Sequence, residues 1–330
     1  MSIGRGILAA TAFALALLAR PIAAADCTGA PADCVETTIT VDGIARIYQY
    51  HVPQSVACST TNLPLVLFLH GGGGTANQVR ASVGYETGEK NCYVEVFPQG
   101  IHYSEGALWT PGECIGLPAQ SGYTGATTPP GCGYGLEQAG VSDVRYIGAV
   151  LDDLKHRVSY DARRVYAMGW SHGGGMTHRL ACEMSDRITA IAPIEGTIKI
   201  AQCNPARAVP VIEWGSLGDT TSPFSGGSGD SSVPYSVSVH LVVSQLPPYA
   251  SPTSTFVVPS VLNGAVTDTV KQWVGGKDES SVILHTLSAQ LPHNWLFLDP
   301  VAFDWREINW TFFKQYSLPL QASKHRAVRK

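Results

Sequence analysis

The segment Gly169-Trp170-Ser171-His172-Gly173 directly follows an apolar run, Val165-Tyr166-Ala167-Met168. A strand that passes into a helix through G-x-S-x-G turns too tightly for Cβ atoms beside the serine, so glycine flanks it on both sides. Such a turn constrains the chain around it. It needs a strand held inside a sheet before it and a helix that starts at once after it. It lifts the Ser171 hydroxyl above the sheet edge and aims main-chain N–H groups at the same point. An ordinary Gly-rich turn also fits five residues in a chain with 34 glycines, so the surrounding sequence has to decide.

Composition favours a large packed core. Apolar residues make up 45% and charged residues 15% of the 330, which argues against disorder. The N-terminus reads as an export signal over residues 1–25. Arg5 supplies the positive end, Gly6 to Leu18 the apolar stretch, and Ala23-Ala24-Ala25 the small-residue cleavage site. That stretch is too short to span a bilayer, and Arg20 interrupts it. About 305 residues then remain, within range for one α/β domain over residues 26–316. A basic tail occupies residues 317–330. A net charge of −4 with no basic stripe speaks against a nucleic-acid partner, and nothing after the leader reads as a membrane segment.

Eight cysteines in an exported chain suggest four disulfides. Proximity along the sequence pairs Cys27 with Cys34, Cys114 with Cys132 and Cys182 with Cys203, which leaves Cys58 with Cys92. Connectivity is not fixed by spacing. No CxxC-type pair is present, so no metal is expected, and no cofactor.

Strand and helix patterns alternate. Val35 to Val41 and Ala45 to His51 flank Asp42-Gly43, a hairpin turn signal. Pro64 to Leu69 is a continuous apolar run, as for a strand buried on both faces, and Tyr93 to Phe97 is the next strand. Residues 98–139 read as a long loop. Ser142 or Asp143 caps a helix running to about Val158. After the turn at Ser171, the spacing predicts a helix carrying Met176, Leu180 and Met184, then strands over Ile188 to Ile194 and Val209 to Trp214. Val261 to Val274 reads as a helix, Val282 to Leu287 as the last strand, and Phe303 to Tyr316 as a closing helix. The whole predicts a doubly wound, mostly parallel sheet with helices on both faces. Gly226 to Phe256, rich in Ser, Gly and Pro, stands apart as an insertion, either plain surface or a lid over a site.

Four glycines, Gly71 to Gly74, follow His70 at the end of the first buried strand. A loop of this kind, some 100 residues before a G-x-S-x-G turn, belongs to the α/β-hydrolase pattern. It supplies one N–H of an oxyanion hole, from Gly72 or Gly73, and His172 supplies the other. The chain order Ser, acid, His then selects partners. Asp219 lies in the loop after Val209 to Trp214, with Asp230 the runner-up. His293 follows the last strand, whereas His285 lies inside it, His240 in the insertion and His325 in the tail. Ser171 as nucleophile, His293 as base and Asp219 as acid form the expected triad. Trp295, two residues after the base, is the candidate aromatic substrate wall. Trp109 and His70 are weaker substrate-side candidates: His70 reads more readily as packing under the glycine loop, and Trp109, like Trp170 and Trp214, as core or rim.

These residues resemble secreted poly(3-hydroxybutyrate) depolymerase-like esterases and the related feruloyl and acetylxylan esterases. The matching pieces are Val41-Asp42-Gly43 with Arg46-Ile47-Tyr48, Leu69 to Gly74, Trp109, Asp143-Val144, Asp161 to Tyr166 and Gly169 to Gly174. They continue with Leu180 to Glu183, Ala192 to Thr197, Asp219 with Pro223 to Gly227, and His293-Asn294-Trp295. The resemblance spans roughly residues 38 to 316 and implies the same triad on Ser171, Asp219 and His293. The long Gly226 to Phe256 segment, the missing cysteine near Gly275-Gly276 and the long loop between Cys114 and Cys132 depart from it.

The expectation is therefore an exported serine esterase acting on feruloyl or acetyl esters of plant polysaccharide. A polyester depolymerase and a secreted acyltransferase are the alternatives. A non-catalytic module on the same fold is disfavoured by the intact set of reactive residues.

Overall fold

The computed structural model of the chain describes residues 27, 34–58, 61–84, 86–103, 106–112, 141–200, 203–226, 254–261, 266–274, 280–287, 291–293 and 304–320. The expected export signal, Cys114, Cys132, Asp230, His240, Trp295, His325 and residues 227–253 lie outside them.

Twelve strands and five helices make up the described chain. In sequence they are β1 (Val35–Val41), β2 (Ile44–His51), β3 (Leu63–Leu69), α1 (Ala76–Val83), α2 (Glu86–Asn91), β4 (Val94–Pro98), β5 (Ile101–Tyr103) and β6 (Gly106–Leu108). There follow α3 (Asp143–Leu154), β7 (Tyr160–Trp170), α4 (His172–Glu183), β8 (Ala190–Ile194), β9 (Val211–Ser216), β10 (Ser254–Val261), β11 (Val266–Trp273), β12 (Val282–Leu287) and α5 (Trp305–Phe313). Ten strands form one sheet in the order β1-β2-β4-β3-β7-β8-β9-β12-β11-β10, and β5 and β6 form a separate hairpin. The six central strands run parallel. Antiparallel strands close both edges.

The alternation of side chains along the central strands explains why helices cover both faces. On β3, Leu65, Leu67 and Leu69 enter one core with α3 and α4. Val66 and Phe68 enter the other, with α1 and α5. β7 divides likewise, Val165 and Ala167 to the first core and Tyr166 and Met168 to the second. Each fully buried Leu or Phe contributes about 1.5–3 kcal/mol relative to an exposed one. β3 sits between β4 and β7. The helix after β3, α1, packs on one face and the helix after its neighbour β7, α4, on the other, which opens a crevice between the carboxyl ends of these two strands.

Among the described residues, disulfides join Cys27 to Cys34 and Cys182 to Cys203, as sequence proximity suggests, and Cys58 to Cys92, the pair it left over. The bond from Cys182 to Cys203 ties α4 to the segment beyond β8. No helix among the described residues is long and apolar enough to cross a membrane.

The helix expected over Val261 to Val274 is wrong. That stretch belongs to an antiparallel hairpin, β10 against β11, with Val261 opposite Val266. Asn263-Gly264 between β-branched runs is the turn signal that outweighs helical spacing there. β10 begins at Ser254, so the end of the expected insertion is already part of the sheet. The long loop from residue 98 starts with the β5–β6 hairpin. α1 was not expected at all, although Thr75 caps it by accepting from the Gln78 N–H, a T-x-x-Q start.

Candidate active site

Ser171 sits between the end of β7 and the first residue of α4, with φ 55 and ψ −117. A non-glycine residue held there costs about 1–3 kcal/mol, which the surrounding packing must offset. Its N–H donates to Ile194 O at 2.8 Å, and its carbonyl accepts from Gly175 N–H at 3.0 Å. The flanking glycines are sterically required. A Cβ on Gly169 would stand 2.2 Å from Gly173 O, and one on Gly173 would stand 2.4 Å from Leu69 O and 2.5 Å from His70 O. All these neighbours are main chain and cannot swing aside. Gly173→Ala is therefore expected to destabilise the fold by about 3 kcal/mol in urea unfolding. Gly148→Ala on α3, where the nearest atom would be 3.6 Å away, is expected to be neutral or slightly stabilising. Equal stability of both variants would contradict this account of the turn.

The residues expected to act with Ser171 converge on it from the ends of other strands. His293, beyond β12, places Nε2 2.7 Å from Ser171 Oγ. Its Nδ1 lies 2.7 Å from Asp219 Oδ2. Asp219 follows β9 and is buried. Its Oδ1 accepts from the N–H groups of Thr221 and Ser222, both at 2.8 Å. Those two donors fix the carboxylate and leave Oδ2 for the imidazole. A carboxylate acceptor at Nδ1 selects the tautomer with Nδ1–H, so Nε2 is free to accept from the serine hydroxyl. Ser216 ties the two loops together: its Oγ donates to Leu291 O at 2.7 Å and accepts from Gly218 N–H at 3.2 Å.

The glycine loop after β3 faces the first turn of α4. A Cβ on Gly72 would lie 3.6 Å from His172 Cβ, so the two main chains approach closely. Gly73 N–H donates to Ala107 O at 2.8 Å, which leaves Gly72 as the loop residue able to donate to a ligand. Among the described residues, neither Gly72 N–H nor His172 N–H has a hydrogen-bond acceptor. His172 N–H also lies at a helix N-terminus, where the aligned peptide dipoles favour negative charge.

His70 and Trp109, named as substrate-side candidates, do not lie on the substrate side; both are packed, the reading the sequence favoured for them. They are 2% and 0% exposed and hold the glycine loop from beneath. His70 Nδ1–H donates to Gly71 O at 2.7 Å, and its Nε2 accepts from Gly100 N–H at 2.9 Å. Trp109 joins the two sides of the site. Its indole N–H donates to His70 O at 2.7 Å, and its main-chain N–H donates to His172 Nδ1 at 3.2 Å. Burial, the largest cause, lowers the pKa of His70 to about 4 and that of His172 to about 3, so both rings are neutral supports at neutral pH. His285 is packed within β12, stacked on Trp214 and bonded to Asp268 at 2.6 Å.

One residue close to this array was not singled out from sequence. Glu195, directly after β8, is 0% exposed, and its Oε2 lies 3.9 Å from His293 Nδ1. The only signal was position: an acid at the end of the strand beside the elbow.

This arrangement defines an α/β-hydrolase fold: a parallel sheet with helices on both faces, a serine on the elbow of a central strand, and an acid and a histidine on later strand-end loops. Solved structures agree on the fold. An acetyl xylan esterase from Aspergillus awamori aligns with a TM-score of 0.54 at 13% identity, over 84% of this chain and 99% of that one. A thermostable esterase aligns with 0.51 at 16% identity, over 87% of this chain and 64% of that one. No family model matches the sequence. Curated relatives carry esterase names, in line with the resemblance to feruloyl and acetylxylan esterases. NocK of Nocardia uniformis subsp. tsuyamanensis, an esterase by name, is 27% identical over 190 residues, 57% of this chain and 49% of that protein. A bifunctional acetylxylan esterase/xylanase of Neocallimastix patriciarum is 25% identical over 171 residues, 52% of this chain and 21% of that protein. Feruloyl esterase C of Emericella nidulans is 27% identical over 137 residues, 39% of this chain and 50% of that protein. The chain thus spans half or less of the length of these curated relatives.

Proposed function

We propose that the chain is an exported serine hydrolase that cleaves carboxylic esters, with feruloyl or acetyl esters of plant polysaccharide as substrates. The hydrogen-bonded line Asp219–His293–Ser171, with 2.7 Å at each step, carries this reading. The names of the curated relatives support the choice of ester.

The chemistry follows from the geometry. Ser171 Oγ attacks the ester carbonyl carbon while His293 Nε2 takes its proton. Asp219 holds the ring and stabilises the imidazolium that forms. The carbonyl oxygen becomes an oxyanion between the N–H groups of Gly72 and His172. Loss of one such donor costs about 10²–10³ in kcat. The imidazolium then protonates the leaving alcohol. In the second half, His293 activates water, which attacks the acyl-serine and releases the acid.

In this reading residues 1–25 direct export and residues 26–316 form one catalytic domain. Residues 226–256 and Trp295 shape the substrate side, and residues 317–330 are a basic tail. The three disulfides suit an oxidising compartment. A panel of an aryl acetate, methyl ferulate, acetylated xylan and a hydroxybutyrate polyester film tests the substrate. Methyl ferulate and acetylated xylan are expected to be turned over with the highest kcat/KM. Clearing of the film without activity on either would assign a polyester depolymerase instead. Ester formation with an added alcohol in preference to hydrolysis would assign an acyltransferase.

A further inference from the structure

Glu195 puts a second carboxyl beside the Nδ1 of His293. Its main chain is fixed: φ is 50, and its N–H donates to Trp214 O at 2.8 Å. Its Oε2 accepts from the indole N–H of Trp170 at 2.6 Å. The same indole N–H donates to the main-chain carbonyl of His293 at 3.1 Å, and the two rings lie 5.4 Å apart. One carboxylate oxygen from each of Glu195 and Asp219 and one ring nitrogen of His293 lie within 4.8 Å of one another. Among the described residues, Asp219 and His293 are the titratable groups that face Glu195, and its Oε1 makes no hydrogen bond.

We propose that Glu195 is a second acid of this site, a positioning residue that holds His293 through Trp170 and accepts from its Nδ1 when Asp219 is absent. The inference rests on the reading of Ser171, His293 and Asp219 given above. Two carboxyls that share one imidazole cannot both ionise cheaply, so the better solvated one takes the charge. Asp219 has two main-chain N–H donors and a 2.7 Å contact with the ring, and Glu195 has neither. Burial, first, raises the Glu195 pKa to about 10; the Trp170 hydrogen bond opposes the rise and the Asp219 charge adds to it. Glu195 is therefore the uncharged acid at neutral pH. Removal of the Asp219 charge removes one obstacle to its ionisation. An approach of about 1 Å then brings Oε2 within hydrogen-bond reach of Nδ1.

Four variants test this: Asp219→Ala, Glu195→Gln, the double variant and Ser171→Ala. If a serine triad has no acid, kcat drops by about 10⁴. With Glu195 in reserve, Asp219→Ala is expected to lose only roughly 10², and the remaining activity to rise with pH. The double variant is expected to lose roughly 10⁴. Glu195→Gln alone is expected to lower kcat about threefold with KM unchanged, since one hydrogen bond is altered.

A thermal readout is independent of turnover. Folded Glu195 keeps its proton to about pH 10, whereas the unfolded residue loses it above its ordinary value of 4.5. Between those values the folded state binds more protons, so this residue lowers stability as pH rises. Glutamine does not titrate. The Tm of Glu195→Gln is expected to gain steadily on that of the unmodified protein from pH 5 to pH 9. A double variant no slower than Asp219→Ala, or Tm curves that stay parallel, would overturn the role of Glu195. Activity surviving in Ser171→Ala would instead overturn the triad on which it rests.

Discussion

Ser171→Ala is expected to lower kcat on an aryl acetate or methyl ferulate by about 10⁶, with KM little changed. The magnitude follows from what the hydroxyl does. In the proposed mechanism no acyl-enzyme forms without Oγ, and the remaining rate comes from water attacking a carbonyl held by Gly72 and His172. That residue of catalysis over the uncatalysed reaction is typically about 10³–10⁴. The fold should tolerate the change, because the strain at φ 55 resides in the main chain and alanine keeps it. Circular dichroism and Tm measured alongside activity separate loss of chemistry from loss of fold. Retention of more than a tenth of the activity, with the fold intact, would mean that the serine on the elbow is not the nucleophile.

His293→Ala is expected to lose nearly as much as Ser171→Ala, and the double variant little more than either alone. The two side chains meet at 2.7 Å and, in the proposed mechanism, act on one proton, so their free energies should not add. A histidine that only packed against the elbow would behave otherwise. Its loss would cost a few fold, and it would add to the serine variant rather than overlap with it. A complete double-mutant cycle on kcat distinguishes the two. Additive losses would separate His293 from the serine, whatever the distance between them.

Most of the central sheet was legible because its residues have few alternatives. Val282 to Leu287 was read with the bounds the structure has, since a short β-branched run after a turn has little choice. The strand before the elbow was foreseen only at its apolar end. Its first five residues, Tyr160 to Arg164, are partly buried or exposed and include three charged residues, Asp161, Arg163 and Arg164, so hydrophobicity alone does not reveal them. β11 was misread because its register with β10 and β12, rather than local spacing, decides its state.

The candidate site was legible in a similar way. Ser171, His293 and Asp219 follow from chain order and loop position. Their convergence to hydrogen-bond distance depends on a parallel sheet that brings the ends of β7, β9 and β12 to one edge. Residues packed beneath the glycine loop were legible in part, because a histidine or tryptophan beside such a loop packs more often than it faces a ligand. His70 and Trp109 are of this packed kind, bonded to main chain on several sides. Glu195 was missed because its role depends on the approach of two loops more than 20 and nearly 100 residues away along the chain.

Labelling with a fluorophosphonate, followed by peptide mapping, tests the central claim most directly. The reagent needs an activated serine beside an oxyanion site, the role proposed for His293, Gly72 and His172 around Ser171. One equivalent should attach to Ser171, in step with loss of esterase activity, and labelling should slow sharply in His293→Ala. Full inactivation with the label on another serine, or persistent hydrolysis with Ser171 fully modified, would contradict the account.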